Sequence, residues 1–118
     1  MARIFQRRRR GHAVKRGEVW LVALDPTVGS EIEKTRPCIV VSPPDLHDHL
    51  RTVVVAPMTT NSKPAPFRLS VAFQGKRRLI LLEQIRTVDK VRLVRRLGEA
   101  SPKHVASALQ VLREMFAA

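Results

Sequence analysis

The 118-residue sequence predicts a mainly β fold with a C-terminal helix, an α+β small barrel in a single domain. Three observations carry that expectation. At least five short runs rich in Val, Ile and Leu follow one another at close spacing, the layout of a small barrel. They are set off by Pro, Gly or polar residues that stop strands. The last segment instead opens with Ser101 and Pro102 and sets Val105, Leu109, Leu112 and Phe116 at helical spacing, which are helix-start and amphipathic signals.

Residues 1–14 carry Arg7, Arg8, Arg9 and Arg10 without apolar periodicity and read as a disordered basic tail, so the folded domain is expected over 15–118. Val19-Trp20-Leu21-Val22-Ala23-Leu24 reads as a buried strand ended by Asp25-Pro26. Residues 27–35 mix Gly, Ser and charges, the composition of a long loop able to act as a lid. Pro37 opens the second run, Ile39-Val40-Val41, because proline's missing N–H need not pair at a strand's first position. The third run is Thr52-Val53-Val54-Val55-Ala56-Pro57-Met58, followed by a polar stretch. Phe67-Arg68-Leu69-Ser70-Val71 alternates with period two, Phe73-Gln74-Gly75-Lys76 reads as a turn, and Leu79-Ile80-Leu81-Leu82 returns. Thr87 or Asp89 can cap a short helical turn over 90–93, and 94–99 reads as one more strand. The terminal helix is then expected to cover one barrel opening.

A domain of this size buries only about two-thirds of the surface its unfolded chain exposes, so apolar area remains for a second copy to cover. The formal charge of +12, from 22 Lys+Arg against 10 Asp+Glu, favours polyanions and puts nucleic acid first among partners. With no Tyr and one Trp, stacking platforms are scarce and binding should lean on phosphate contacts. Cys38 is the one cysteine; it excludes an internal disulfide and reads as an inert core thiol. No run reaches the roughly 18 apolar residues of a membrane span, and no apolar stretch follows the basic start as in a signal peptide. A cytoplasmic protein without a membrane partner is the expectation. No His, Cys or carboxylate set has metal-ligand spacing, so neither metal nor cofactor is expected. His47-Asp48-His49 reads as a solvated loop, while His12 falls in the tail and His104 in the terminal helix, so no histidine stands out as a general base.

Four blocks resemble the MazF/PemK family of type II toxin endoribonucleases: Arg16-Gly17-Glu18-Val19-Trp20, Asp25-Pro26-Thr27-Val28-Gly29-Ser30-Glu31, Thr35-Arg36-Pro37, and the stretch from Leu82-Glu83-Gln84-Ile85-Arg86 through Lys90. Pro57-Met58-Thr59-Thr60 looks like the family's short Thr/Ser motif. The resemblance implies an SH3-like (CcdB/PemK) barrel that forms a homodimer, lays single-stranded RNA across its interface and cuts at short sequence motifs. It implies a metal-independent endoribonuclease in which the ribose 2′-OH attacks, leaving a 2′,3′-cyclic phosphate and a 5′-OH end. It also implies a cognate antitoxin, expected to be acidic because it must lie along a basic groove. Two alternatives stay open at this point: a non-enzymatic poison of DNA gyrase resembling CcdB, and a nucleic-acid-binding module whose catalytic site has decayed.

Attack by a 2′-OH gathers negative charge on the phosphate oxygens, so a fixed cation is needed where it develops. Arg36, from the Thr-Arg-Pro block, is the candidate: its fork of donors suits phosphate, and Pro37 restricts the backbone from which it leaves. Thr59 is the second catalytic candidate, through a hydroxyl that can donate to a non-bridging oxygen or orient the 2′-OH. Glu83 is the third, as a possible base or a structural carboxylate. The RNA-binding candidates are Ser30, Glu31, Thr35, Thr60, Lys63, Gln84 and Arg86. Gln84 and Arg86 alternate with Glu83 and Ile85 and would face one side if the segment were a single strand. The loop Gly29-Ser30-Glu31-Ile32-Glu33-Lys34 lacks two glycines common in relatives, and Ser30 replaces a histidine that some of them carry.

Overall fold

The structure is a computed structural model that describes residues 13–24 and 35–118. The Arg7 to Arg10 run, His12, Ser30, Glu31 and the expected lid therefore lie outside the described residues, apart from Thr35 at the end of that loop. Seven strands occur among the described residues: β1 (Glu18–Ala23), β2 (Thr35–Val40), β3 (Thr52–Thr59), β4 (Arg68–Phe73), β5 (Lys76–Leu81), β6 (Arg86–Asp89) and β7 (Leu93–Glu99). A short helix α1 (Pro44–His47), 3-10 turns at Leu82–Gln84 and Lys90–Arg92, and the C-terminal helix α2 (Pro102–Met115) complete the elements among the described residues.

All pairings are antiparallel, in the order β4-β5-β3-β2-β1-β7 with β6 also on β3, and the sheet curls into a half-barrel. The strand β3 organises it. One edge pairs with β2 from Cys38↔Pro57 to Val40↔Val55. The other edge takes β6 from Thr52 to Val55 and then β5 at Met58 and Thr59. The turn Leu82–Gln84 bridges β5 and β6, so the sheet changes partners beside Pro57.

Alternating side chains divide the core in two. Ile39, Ala56, Met58, Val71 and Ile80 point to one face, where Ala108, Val111, Leu112 and Met115 of α2 pack over them. Val22, Cys38, Val40, Val53, Val55 and Val88 form a second cluster, bordered by Trp20, Leu24 and Leu93. The helix starts as its sequence signals: Ser101 Oγ accepts from His104 N at 3.1 Å, with Pro102 in the first turn. At its base, Gly17 has φ +94° and a Cβ there would come within 2.9 Å of Val105 Cγ2. Only glycine meets both demands. Gln74 and Gly75, at φ 53° and 76°, form the tight hairpin turn between β4 and β5.

Two buried polar clusters, around Glu18 and around His47, tie distant segments together. The Glu18 carboxylate, 1% exposed, accepts from Lys15 N at 3.1 Å, Trp20 Nε1 at 3.0 Å and Arg96 Nε at 3.1 Å. This pins β1 to β7. His47 corrects the expectation of a solvated loop: it ends α1 and is fully buried. Its Nε2 lies 2.8 Å from the Val14 carbonyl and its Nδ1 2.8 Å from Ser42 Oγ. A carbonyl can only accept, so Nε2 carries the hydrogen and Nδ1 accepts from the Ser42 hydroxyl, while Ser42 Oγ accepts from Val54 N at 3.1 Å. Lys90, also buried, donates through Nζ to the His47 carbonyl, and Asp89 caps its turn by accepting from Val91 N. The polar local sequence hid this network because its partners lie up to 43 residues away. Burial is the main force holding His47 below the ordinary imidazole range. Val14, placed in the tail by its sequence context, is 3% exposed and belongs to the second core cluster.

Candidate active site

The face that carries the second core cluster runs on into a polar site. Along β2 the alternation that buries Cys38 and Val40 brings Arg36 out on the same side. Along β3 it does the same for Val53, Val55, Pro57 and Thr59. Continuing the Cys38↔Pro57 register by two residues on each strand sets Arg36 opposite Thr59. Both side chains line an open pocket of about 230 Å³ together with Leu24, Pro57, Ser62, Leu81 and Gln84. Apolar walls from Leu24, Pro57 and Leu81 thus surround one guanidinium, two hydroxyls and one amide.

Thr59 Oγ1 accepts from Asn61 N at 3.1 Å. That bond occupies a lone pair and leaves the hydroxyl hydrogen available to donate, which is the role an anionic oxygen requires. Arg86 begins β6 opposite Val55, on the same face. Burial pushes the Cys38 thiol up to about 12, while the positive charges of Arg86 and then Arg36 act the other way. The thiol itself lies 3.6 Å from the Arg36 carbonyl and is buried and protonated near neutrality, an inert group.

Thr35 is exposed at the start of β2, and Thr60 and Lys63 are exposed in the segment after β3. Gln84 enters the pocket from the turn Leu82–Gln84 rather than from a strand. The expectation of simple alternation through Glu83, Gln84, Ile85 and Arg86 therefore fails, because a 3-10 turn precedes β6. Glu83 is not among the pocket-lining residues. Its Oε2 accepts from Arg68 Nε at 2.9 Å and Nη2 at 2.7 Å. The Arg68 hydrogen bond is the main cause holding this carboxyl below its usual range. Ser62 and Leu81 are pocket residues that sequence reasoning did not single out. Arg68 also escaped it, although the period-two pattern of its strand sets a cation among apolar residues.

Among the described residues, no three His, Cys, Asp or Glu side chains gather as a metal site, and no helix is long and apolar enough to cross a membrane. A curled half-barrel with a guanidinium, a donating hydroxyl and an amide in one pocket defines a small basic protein that can receive anionic oxygens on its sheet face.

A family profile described as "PemK-like, MazF-like toxin of type II toxin-antitoxin system" matches residues 15–116. The chain belongs to that family. It is 36% identical over 107 residues to Endoribonuclease EndoA of Bacillus subtilis (strain 168), covering 83% of this chain and 92% of that protein. It is 39% identical over 86 residues to Endoribonuclease PemK of Escherichia coli, covering 69% of this chain but only 65% of PemK. The fold is similar to MazF in the MazE-MazF (Form-II) structure from Deinococcus radiodurans, with a TM-score of 0.77 at 23% identity over 88% of this chain and 96% of that one.

Proposed function

We propose that the chain is the toxin of a type II toxin–antitoxin pair and acts in the cytoplasm as a homodimeric, metal-independent, sequence-specific endoribonuclease on single-stranded RNA. The observation that carries this reading is the meeting of Arg36 and Thr59 in one pocket on adjacent strands. A ribose 2′-OH attacks the neighbouring phosphorus, the 5′-oxygen leaves, and a 2′,3′-cyclic phosphate and a 5′-OH end result. Arg36 holds the phosphate and stabilises the charge gathered on its oxygens. Thr59 donates its hydroxyl to a non-bridging oxygen. Arg86 adds a second positive charge on the same face, and Gln84, Thr60, Lys63, Thr35, Ser30 and Glu31 contact flanking nucleotides.

The pinned, ionised Glu83 is poorly suited to exchange a proton with substrate near neutrality, which favours a supporting role. The net charge of +12 supports an acidic antitoxin that covers the same face. EndoA and PemK carry the name endoribonuclease, in keeping with this reading.

The test is cleavage of RNA by refolded, antitoxin-free protein in EDTA, with sequencing of the 5′-OH ends. Cleavage at a short motif, lost in Arg36→Ala, is the expected result. Intact RNA accompanied by trapped gyrase–DNA breaks would point instead to a gyrase poison, and binding without cleavage to a decayed site; either result overturns the proposal.

A further inference from the structure

One guanidinium ties together two separate segments of the pocket wall. Arg68, at the start of β4, donates through Nε and Nη2 to Glu83 Oε2 at 2.9 and 2.7 Å, and through Nη1 to the Lys63 carbonyl at 3.0 Å. Each anchored residue is the chain neighbour of one that lines the pocket: Lys63 follows Ser62, and Glu83 precedes Gln84. The ion pair is partly shielded, with side-chain exposures of 22% and 31%. Two backbone bonds brace the junction, Leu82 N donating to the Phe67 carbonyl at 3.1 Å and Arg68 N to the Ala65 carbonyl at 3.0 Å. Gln84 Nε2 also lies 3.5 Å from Glu83 Oε2. That contact biases the amide nitrogen toward the carboxylate and leaves Oε1 as the atom to accept from a base.

Arg36 and Thr59 stand on strand ends, whereas Ser62 and Gln84 stand on a loop and a single turn. Strand pairing holds the backbones of Arg36 and Thr59, whereas those of Ser62 and Gln84 lie outside the strands. Resting on the ribonuclease reading above, we infer that Arg68 and Glu83 are positioning residues whose ion pair fixes Ser62 and Gln84 and thereby sets the base preferred beside the cut. Neither touches the reacting atoms. A brace of this kind acts on discrimination because a base edge is read by hydrogen bonds that tolerate little displacement.

The experiment compares wild type, Arg68→Gln, Glu83→Gln and the swapped pair Arg68→Glu/Glu83→Arg on an RNA pool randomised around the cut site. In parallel, affinities are measured for oligonucleotides that carry a 2′-deoxy residue at the cut and cannot be cleaved. Both single variants are expected to narrow the kcat/KM ratio between the best and next-best flanking base by about tenfold, the discrimination one good base contact supplies. The swapped pair recovers part of that ratio. An unchanged ratio, or an equal loss on every sequence, overturns the inference. Should wild type bind selectively yet cut nothing, the ribonuclease reading fails while the affinity panel still decides: flattening in Arg68→Gln supports the brace, and an unaltered preference refutes it. Wild type showing no preference in either assay refutes it as well. If circular dichroism shows Arg68→Gln unfolded, Glu83→Gln carries the test, since it keeps the side chain's size and the Arg68–Lys63 contact.

Discussion

Arg36 and Thr59 leave adjacent strands on one face, opposite each other when the Cys38↔Pro57 register is continued. Opposed side chains on neighbouring strands have Cβ atoms about 4.5–5.5 Å apart, so both can reach oxygens of one phosphate. Removing a single preorganised donor from such a site costs about 10²–10³ in kcat, roughly 3–4 kcal/mol. Arg36→Ala should fall at the upper end of that range. Thr59→Val should lose about 10- to 100-fold, because a neutral hydroxyl is a weaker donor than a guanidinium. If both act on the same developing charge, the double variant loses less than the product of the single effects, with a coupling of about 1–2 kcal/mol. The assay is single-turnover cleavage of a labelled RNA at saturating protein in EDTA, with thermal unfolding confirming that each variant is folded. Losses that multiply would mean that the two groups act on separate features of the substrate. An Arg36→Ala protein with the wild-type rate would remove the mechanism altogether.

Further expectations follow from the buried groups. Ser42→Ala orphans Val54 N and His47 Nδ1 and should cost about 2–4 kcal/mol, read in urea unfolding; a loss under half a unit of that scale would mean that water replaces the hydroxyl. His47 is held neutral in the fold but takes a proton in the unfolded chain below about pH 6.5. Its contribution is therefore complete above that pH and declines as the pH falls through it. Urea titrations across roughly pH 5 to 8 should show a flatter dependence in His47→Gln than in wild type, and equal slopes would contradict the assignment. Gly17→Ala combines a positive φ with a contact to Val105 and should destabilise by about 1–3 kcal/mol; adding Val105→Ala relieves the contact but leaves the backbone strain. Cys38 should resist iodoacetamide in the native protein and react after unfolding in urea, as mass spectrometry would record, because the buried thiol sits up at about 12.

Strand runs, the Gln74-Gly75 turn, the Asp89 cap and the Ser101-Pro102 helix start were legible because each is written in adjacent residues. The pairing of Arg36 with Thr59 was legible only through motif resemblance, since register depends on which strands meet. His47 was misread for the same reason: its partners Val14, Ser42 and Lys90 come from three other segments. A polar loop composition says nothing about a carbonyl 33 residues upstream. Simple alternation from Glu83 to Arg86 does not hold because the chain turns at Leu82–Gln84 to bring β6 alongside β3, a change of partner that adjacent residues do not record. The Arg68–Glu83 pair spans 15 residues and leaves no local trace beyond a cation among apolar neighbours.

Arg36 shares its strand with Cys38 and Val40, which are seated in the core, and a strand's two sides trade places with every residue added. One extra residue between Arg36 and Cys38 would therefore send the guanidinium to the opposite side while the hydrophobic anchors after it kept their seats. On the proposed reading, such an insertion variant would fold and still bind through the rest of its surface, yet leave RNA uncut.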